Sequence, residues 1–382
     1  MLSNSDRVEL TELRRALHRH PELSGEEIET AKTIAGELTA LAPTTILRCL
    51  GGHGVAAVFD SGKEGPTVLF RAELDALPIH EKSANPWASE VPGKGHLCGH
   101  DGHMMFLMGL GRLLSRRPVE KGRVVLMFQP AEEDGSGARA VVADPAFEAI
   151  RPDWAFAIHI EPGRPWGYVS SRAGLINCAS QGLQIRLTGK TAHAADPEDG
   201  VSPARTVVKL VPELDDLGHG GRLDDHFRLV TITHVQIGEP TFGTAPGDAV
   251  IYATLRTARD EAMADMSNEA RRLASKAARE AGLTVKFEVF DDFAASINHP
   301  EATNVAIEAM NALGIENGDY GLPMRASEDF GVFGWCAKAA MLCLGHGEDY
   351  AGLHTPDYDF PDDLLPMGVK IFERIARDLL GG

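Results

Sequence analysis

A chain of 382 residues, 43% hydrophobic and 24% charged, can bury a sizeable core and is long enough for two domains. Its 55 acidic residues outnumber 37 Lys and Arg, and the net charge of −18 argues against nucleic acid or an anionic membrane surface as main partner. No signal-like apolar stretch opens the sequence, no membrane-length apolar run follows, and the five scattered cysteines (Cys49, Cys98, Cys178, Cys336, Cys343) make no disulfide framework, so reduced thiols and a cytoplasmic location are expected.

Leu10, Leu13 and Leu17 recur at helical spacing, which predicts a helix over residues 8–20 that Pro21 ends. Ser24 followed by Glu27 reads as a capping box for a second helix through EEIETAKTIAGELTAL. The stretches GVAAVFD, PTVLFRAE, RVVLMFQP and DWAFAIHI are short strands apolar on both faces, as in the buried sheet of an α/β protein. Past residue 180 the pattern changes. QGLQIRLTGK, RLVTITHVQIG, DAVIYATLRTAR and LTVKFEVFDDF read as strands, with helices in SPARTVVKLVPELDDL and DEAMADMSNEARRLASKAAREAG. Their order, β-α-β-β-α-β, is the split βαβ of ferredoxin-like domains. Helix and apolar strand then resume in TNVAIEAMNALG and AAMLCLG. The expected architecture is α/β: a discontinuous domain of residues 1–178 and 293–382, with a mixed sheet flanked by helices, interrupted by an inserted ferredoxin-like domain of residues 179–292.

The densest chemistry lies in HLCGHDGHMM, residues 96–105. RAELDALP, QPAEED, AIHIEPG and LHTPDYDF also place polar residues where an apolar strand gives out or in a loop beyond one, and strand ends along one edge of an α/β sheet are where ligand sites form. Together Cys98, His100, Glu133, His159 and His354 would supply one thiolate, one carboxylate and three imidazoles, too many for one tetrahedral zinc but suited to two divalent ions with a shared ligand. A structural zinc knot would need a second Cys pair, and a thiol nucleophile at Cys98 would leave Glu132, Glu133 and the distant histidines unexplained. Adjacent carboxylates on an extended segment point in different directions, so one can bind metal while the other moves protons.

RRALHRHPELSGEEIETA, RAELDALP, CGHDGHMM, FQPAEEDGSGA, SEDFGVF and LHTPDYDF resemble, in order and across nearly the whole chain, the signature blocks of peptidase family M20, most closely its amidohydrolase branch. The resemblance implies a two-metal amidohydrolase cleaving N-acyl amino acids, with a catalytic domain and an inserted lid and dimerisation domain. By that resemblance Cys98, His100, Glu133, His159 and His354 are the ligands of two divalent ions (zinc, manganese or cobalt), with Cys98 bridging. Glu132 matches the general base and Asp75 a residue that supports a ligand. His193 matches a histidine that reaches the substrate oxyanion, often in the partner subunit's site; Arg256 would suit a substrate carboxylate, and Glu328 an acidic position near the substrate pocket. His103 has the plainer reading of capping or packing the helix that follows. Gly243 stands where relatives carry a lid Asn, Glu73 stands where Asp is usual, and the segment before His354 is short, so the substrate is less secure than the reaction class. The implied partners are a small N-acyl amino acid or related amide and a second copy of the chain in a homodimer; a different small amide, aryl amine or dipeptide, or a metal-dependent binding protein without catalysis, are the alternatives.

Overall fold

The computed structural model describes residues 1–382 and divides them into two compact units. The first comprises residues 1–176, 296–323 and 328–382; the second comprises 177–295 with the short segment 324–327. The sequence assigned that short segment to the first unit. It joins the second through a bridge between Asn177 and Met324 and an N–H bond from Cys178 to the Ala326 carbonyl, 3.2 Å. No helix is long and apolar enough to cross a membrane.

The first unit is built on an eight-stranded mixed sheet in the order Thr45–Leu50, Gly54–Asp60, Arg123–Gln129, Thr67–Glu73, Trp154–Glu161, Lys338–Gly345, Val169–Ser170, Asn317–Gly318. Its four central strands are parallel to one another. Thr67–Glu73 and Arg123–Gln129 are almost wholly buried, as their near-continuous Val, Leu and Phe runs require. Phe70 stacks on Phe156 with ring centroids 5.9 Å apart and meets Phe372 at 4.8 Å, binding strands to the C-terminal helix Leu365–Leu380. From Thr67–Glu73 the chain passes to a neighbour on one side, then returns to Trp154–Glu161 on the other. That reversal opens a crevice at the carboxyl ends of the strands, the usual ligand position in such sheets.

Helix His100–Arg116 connects the first two parallel strands, and 14 of its 17 residues are buried, so it is a core element rather than an amphipathic cover. Gly99, at φ +88°, supplies the left-handed turn that starts it.

Two local readings need correction. The first helix is Asn4–Arg19, and the capping box lies at its start: Ser3 Oγ accepts from the Asp6 N–H, while Asp6 accepts from the Ser3 N–H. The second helix, Ile28–Ala40, has no such box. Its early N–H groups at Glu29 and Thr30 donate to the Glu22 carboxylate, at 3.2 and 2.7 Å. Ser24 donates instead to Asp75, 2.7 Å away, and Glu27 turns toward Gly25 and Ala131.

The second unit has a four-stranded antiparallel sheet in the order Arg228–Ile237, Asp248–Thr257, Ala179–Thr188, Thr284–Phe293. Helices Ala204–Asp215 and Asp260–Glu280 pack against each other and against this sheet. Alternate residues of Asp248–Thr257 are buried (Ala249, Ile251, Ala253, Leu255, Thr257), the period of a sheet with one covered face.

Candidate metal centre

Four parts of the first unit meet at the carboxyl end of its parallel strands. Residues 96–100 bring Cys98 and His100, the turn after Arg123–Gln129 brings Glu132 and Glu133, strand Trp154–Glu161 brings His159, and the loop after Lys338–Gly345 brings His354. Two clusters of donors share a residue here, Cys98, His100 and His159, and Cys98, Glu133 and His354, while His100, Glu132 and Glu133 form another beside them, with donor atoms of each within 4.8 Å of one another. Cys98 belongs to the first two. Its Sγ lies 3.4 Å from His159 Nε2 and 3.4 Å from His354 Nε2.

Hydrogen bonds aim these donors. His100 Nδ1–H donates to the Asp75 carbonyl at 2.9 Å, so Nε2 is the nitrogen left facing the site, to carry a proton or a cation in its place. That Nε2 is buried without a hydrogen-bond partner, 3.7 Å from Glu132 and 3.8 Å from Glu133. His159 Nδ1–H donates to the Ile160 carbonyl at 2.6 Å, again leaving Nε2 toward Cys98. His354 is held at φ +61° with its N–H on the Leu97 carbonyl, and its Nε2 is 3.6 Å from Glu133. A left-handed non-glycine residue costs about 1–3 kcal/mol and persists where the surroundings fix it. Asp75 takes the Glu133 N–H at 2.9 Å and the Ser24 hydroxyl, so it braces His100 and Glu133 together.

Charge is crowded here. Burial and then the Glu328 and Glu133 charges push Glu132 well above the usual carboxylate range. Burial, opposed by His100, raises Glu133 to about 7. Burial and the carboxylates at 133 and 132 push the Cys98 thiol up. For His100 burial works against the charged form, but the Asp75 bond and the Glu73 and Glu133 charges carry it up to about 10. His159 is held well below its usual value by burial and the neighbouring histidines. Acidic groups concentrated at a buried site, with soft sulfur, imidazole nitrogen and carboxylate oxygen converging and His100 Nε2 and Glu133 Oε1 unpartnered, fit divalent cations, which would displace their protons.

His103 falls outside this set. Ile160 N–H donates to its Nε2 at 3.0 Å, which fixes the proton on Nδ1, and Nδ1–H donates to Glu73 at 2.7 Å. Both nitrogens are spent, the packing role expected for it. The long Glu73 is itself held by Arg71, whose buried guanidinium also reaches Glu328 (2.8 Å), Asp329 (2.5 Å) and Gln129 (2.9 Å). Glu328 is 3% exposed and bound to Arg71 and to the Phe330 N–H, with Glu132 and Asp329 in the same carboxylate cluster.

A second buried network escaped the sequence reading. Asp101, next to His100, binds Arg14 (3.0 Å) and His18 (2.8 Å), and Arg14 also binds Asp359 and Asp362. It ties the helix that starts at His100 to the first helix and the C-terminal loop. A charged Arg and His at helical spacing in an otherwise apolar stripe, RRALH, was the available signal.

His193 and Arg256 lie in the second unit. His193 is exposed on a two-residue strand paired with Thr244–Ala245. Arg256 Nη1 donates to the Arg325 carbonyl and to Ser327 Oγ, each at 2.8 Å. Gly243 accepts the Ala194 N–H at 3.1 Å, and a Cβ built on it meets nothing within 4 Å.

Residues 69–378 match peptidase family M20/M25/M40, and the chain belongs to that family. It is 29% identical to an N-acetylcysteine deacetylase of Bacillus subtilis, over 98% of each chain, and 30% identical to an IAA-amino acid hydrolase of Arabidopsis thaliana, over 96% of this chain and 86% of the relative. Its fold matches a crystal structure of a Bacillus subtilis dinuclear metal-binding M20 peptidase at a TM-score of 0.81 and 27% identity, with 99% of each chain covered. The protein is accordingly a metal-dependent hydrolase acting on amide bonds.

Proposed function

We propose that the protein hydrolyses the amide bond of a small N-acyl amino acid, using two divalent ions held by Cys98, His100, Glu133, His159 and His354, with Cys98 shared between them. The carrying observation is the pair of donor sets joined at Cys98 Sγ, with Glu132 beside them in a cluster with His100 and Glu133. The names of the deacetylase and conjugate-hydrolase relatives support the substrate class. Thiolate and imidazole favour zinc, and manganese or cobalt remain compatible with the carboxylate.

When bound, the ions supply Lewis acidity, lowering the pKa of water and polarising the scissile carbonyl. Glu132 takes the proton of the attacking water and later delivers it to the departing amine. Asp75 keeps His100 and Glu133 oriented through its carbonyl and carboxylate. His193 donates to the developing oxyanion, and Arg256 pairs with the substrate carboxylate through donors other than the Nη1 contacts already made. Glu328 acts beside Glu132, from within the Arg71 network. The strand order and antiparallel pairing of the second unit support the reading of it as a ferredoxin-like βαββαβ domain, the inserted lid and dimerisation domain of a homodimer.

The test strips the purified protein of metal, restores zinc, manganese or cobalt, counts ions per chain, and assays a panel of N-acetyl and N-aryl-acyl amino acids. Two ions per chain with amide cleavage are expected. Glu132→Gln should keep the metal and lose turnover by about 100-fold or more. Metal-replete Glu132→Gln with parental turnover would remove Glu132 from its role. Bound metal with no amide cleaved would leave the protein a metal-dependent binder.

A further inference from the structure

Glu27 is fully buried, yet it has no cationic partner. Its Oε1 accepts the Gly25 N–H at 2.9 Å and the Ala131 N–H at 2.8 Å, and its Oε2 has no partner at all. Burying a carboxylate this way costs stability. The second helix draws no return from it, because the Glu22 carboxylate takes the N–H groups of Glu29 and Thr30. The return is at Ala131.

Ala131 stands at φ +50°, left-handed for a residue with a Cβ, immediately before Glu132. The turn it opens is closed tightly: Gly137 N–H binds the Ala131 carbonyl at 2.9 Å, and a Cβ on Gly137 would fall 1.7 Å from the Pro130 carbonyl oxygen. Three acidic side chains fix this turn by accepting its backbone N–H groups. Glu27 takes Ala131, Asp75 takes Glu133, and Asp329 takes Ala138 at 2.8 Å. Of these three, only the Glu27 bond ends on the strained residue, whose carbonyl the Gly137 N–H holds from the other side. Released, that residue relaxes toward the right-handed region and swings the side chain of Glu132.

We propose that Glu27 is a positioning residue for catalysis, holding Ala131 left-handed so that Glu132 is aimed at the reacting water. This rests on the reading of Glu132 as the base. The function is geometric, since an acceptor at Oε1 is what the two N–H groups need. A glutamine supplies that acceptor; a methionine of similar length does not.

The experiment compares Glu27→Met, Glu27→Gln and Glu132→Gln with the parent, at saturating metal, on the N-acyl amino acid the parent cleaves best. Each protein is scored for ions per chain, kcat, KM and amide exchange of the peptide spanning residues 129–137. Displacement of a catalytic group by an ångström costs up to about 100-fold, so Glu27→Met should lose about 10- to 100-fold in kcat with KM within about threefold. It should keep its metal and exchange faster in that peptide. Glu27→Gln should restore kcat to within about threefold of the parent. Parental kcat in Glu27→Met overturns the proposal, as does a Glu27→Gln as slow as the Met variant, or a loss that extra metal fully restores. Should Glu27→Met not fold, Glu27→Asp keeps the carboxylate but withdraws it by one methylene from the Ala131 N–H; it should lower kcat at full metal, and an unchanged kcat overturns the proposal. An active Glu132→Gln would instead sink the base assignment, and this inference with it. A dead Glu132→Gln beside a fully active Glu27→Met sinks this inference alone.

Discussion

Replacing Arg71 with methionine removes the one cation that Glu73, Glu328 and Asp329 share. All three carboxylates are at most 3% exposed, so water cannot substitute for the lost guanidinium. Burial already pushes Asp329 up to about 7 in the parent, so the loss of Arg71 must bring in a further proton, at a site whose folded pKa in the variant rises above its unfolded value of about 4. The unfolded chain releases that proton at lower pH, so stability is lost as pH increases through and beyond about 4, by about 1.4 kcal/mol per unit. One proton therefore costs about 4 kcal/mol at pH 7 but only about 1.4 kcal/mol at pH 5. The first figure agrees with the roughly 3–5 kcal/mol expected for breaking a buried ion pair. Urea unfolding of the metal-free parent and Arg71→Met at pH 5, 6 and 7 measures the difference. A destabilisation under about 1 kcal/mol at pH 7, or one equal at pH 5 and 7, would refute the reasoning.

His18 carries the opposite sign. Burial opposes its charge, but Asp101 and Glu81 raise it to about 9, so its contribution is complete below about 6.5 and disappears as pH climbs through 9. That amounts to at most about 3 kcal/mol, with the depressed Asp101 reporting the same interaction and not a second one. Melting curves between pH 6.5 and 9 should fall for the parent and flatten for His18→Gln; parallel curves would count against the pair. Cys98→Ala takes the shared donor from both sets, so ions per chain after dialysis should drop, and undiminished metal would argue against a bridging thiolate. Gly243→Asn has open space for its side chain, so it should melt like the parent while changing relative kcat/KM across acyl substrates by at least about fivefold. An identical substrate profile would remove position 243 from the specificity argument.

The central strands were legible to within a residue or two because buried parallel strands are written as unbroken apolar runs; RVVLMFQP opens on the strand Arg123–Gln129 and runs one residue past it. The candidate donors could be named because they lie within or beyond such runs or in the dense Cys-His cluster, and the fold brings them together. What was not legible is long-range. Ser24 and Glu27 have the local spacing of a capping box, but tertiary acceptors and donors at Asp75 and Ala131 outcompeted the helix end. Arg14 and His18 looked like ordinary helix charges because Asp101, Asp359 and Asp362 lie far along the chain. Leu365–Leu380 begins with Pro366 and Gly368, two helix-disfavouring residues that mask its period. The two-residue strands Val169–Ser170 and Asn317–Gly318 are too short to have any period.

The division of the donors along the chain also sets an order of assembly. Cys98, His100 and His159 all precede residue 177, whereas the strand Lys338–Gly345 that pairs with Trp154–Glu161, and His354 beyond it, are synthesised only after the entire second unit. During translation the first donor set can gather while the parallel sheet still ends at an open edge. The Cys98–Glu133–His354 set cannot form until the last part of the chain has emerged and docked. On the proposed assignment, a nascent chain completes one donor set well before the other, which forms only when the last strand of the parallel sheet has docked.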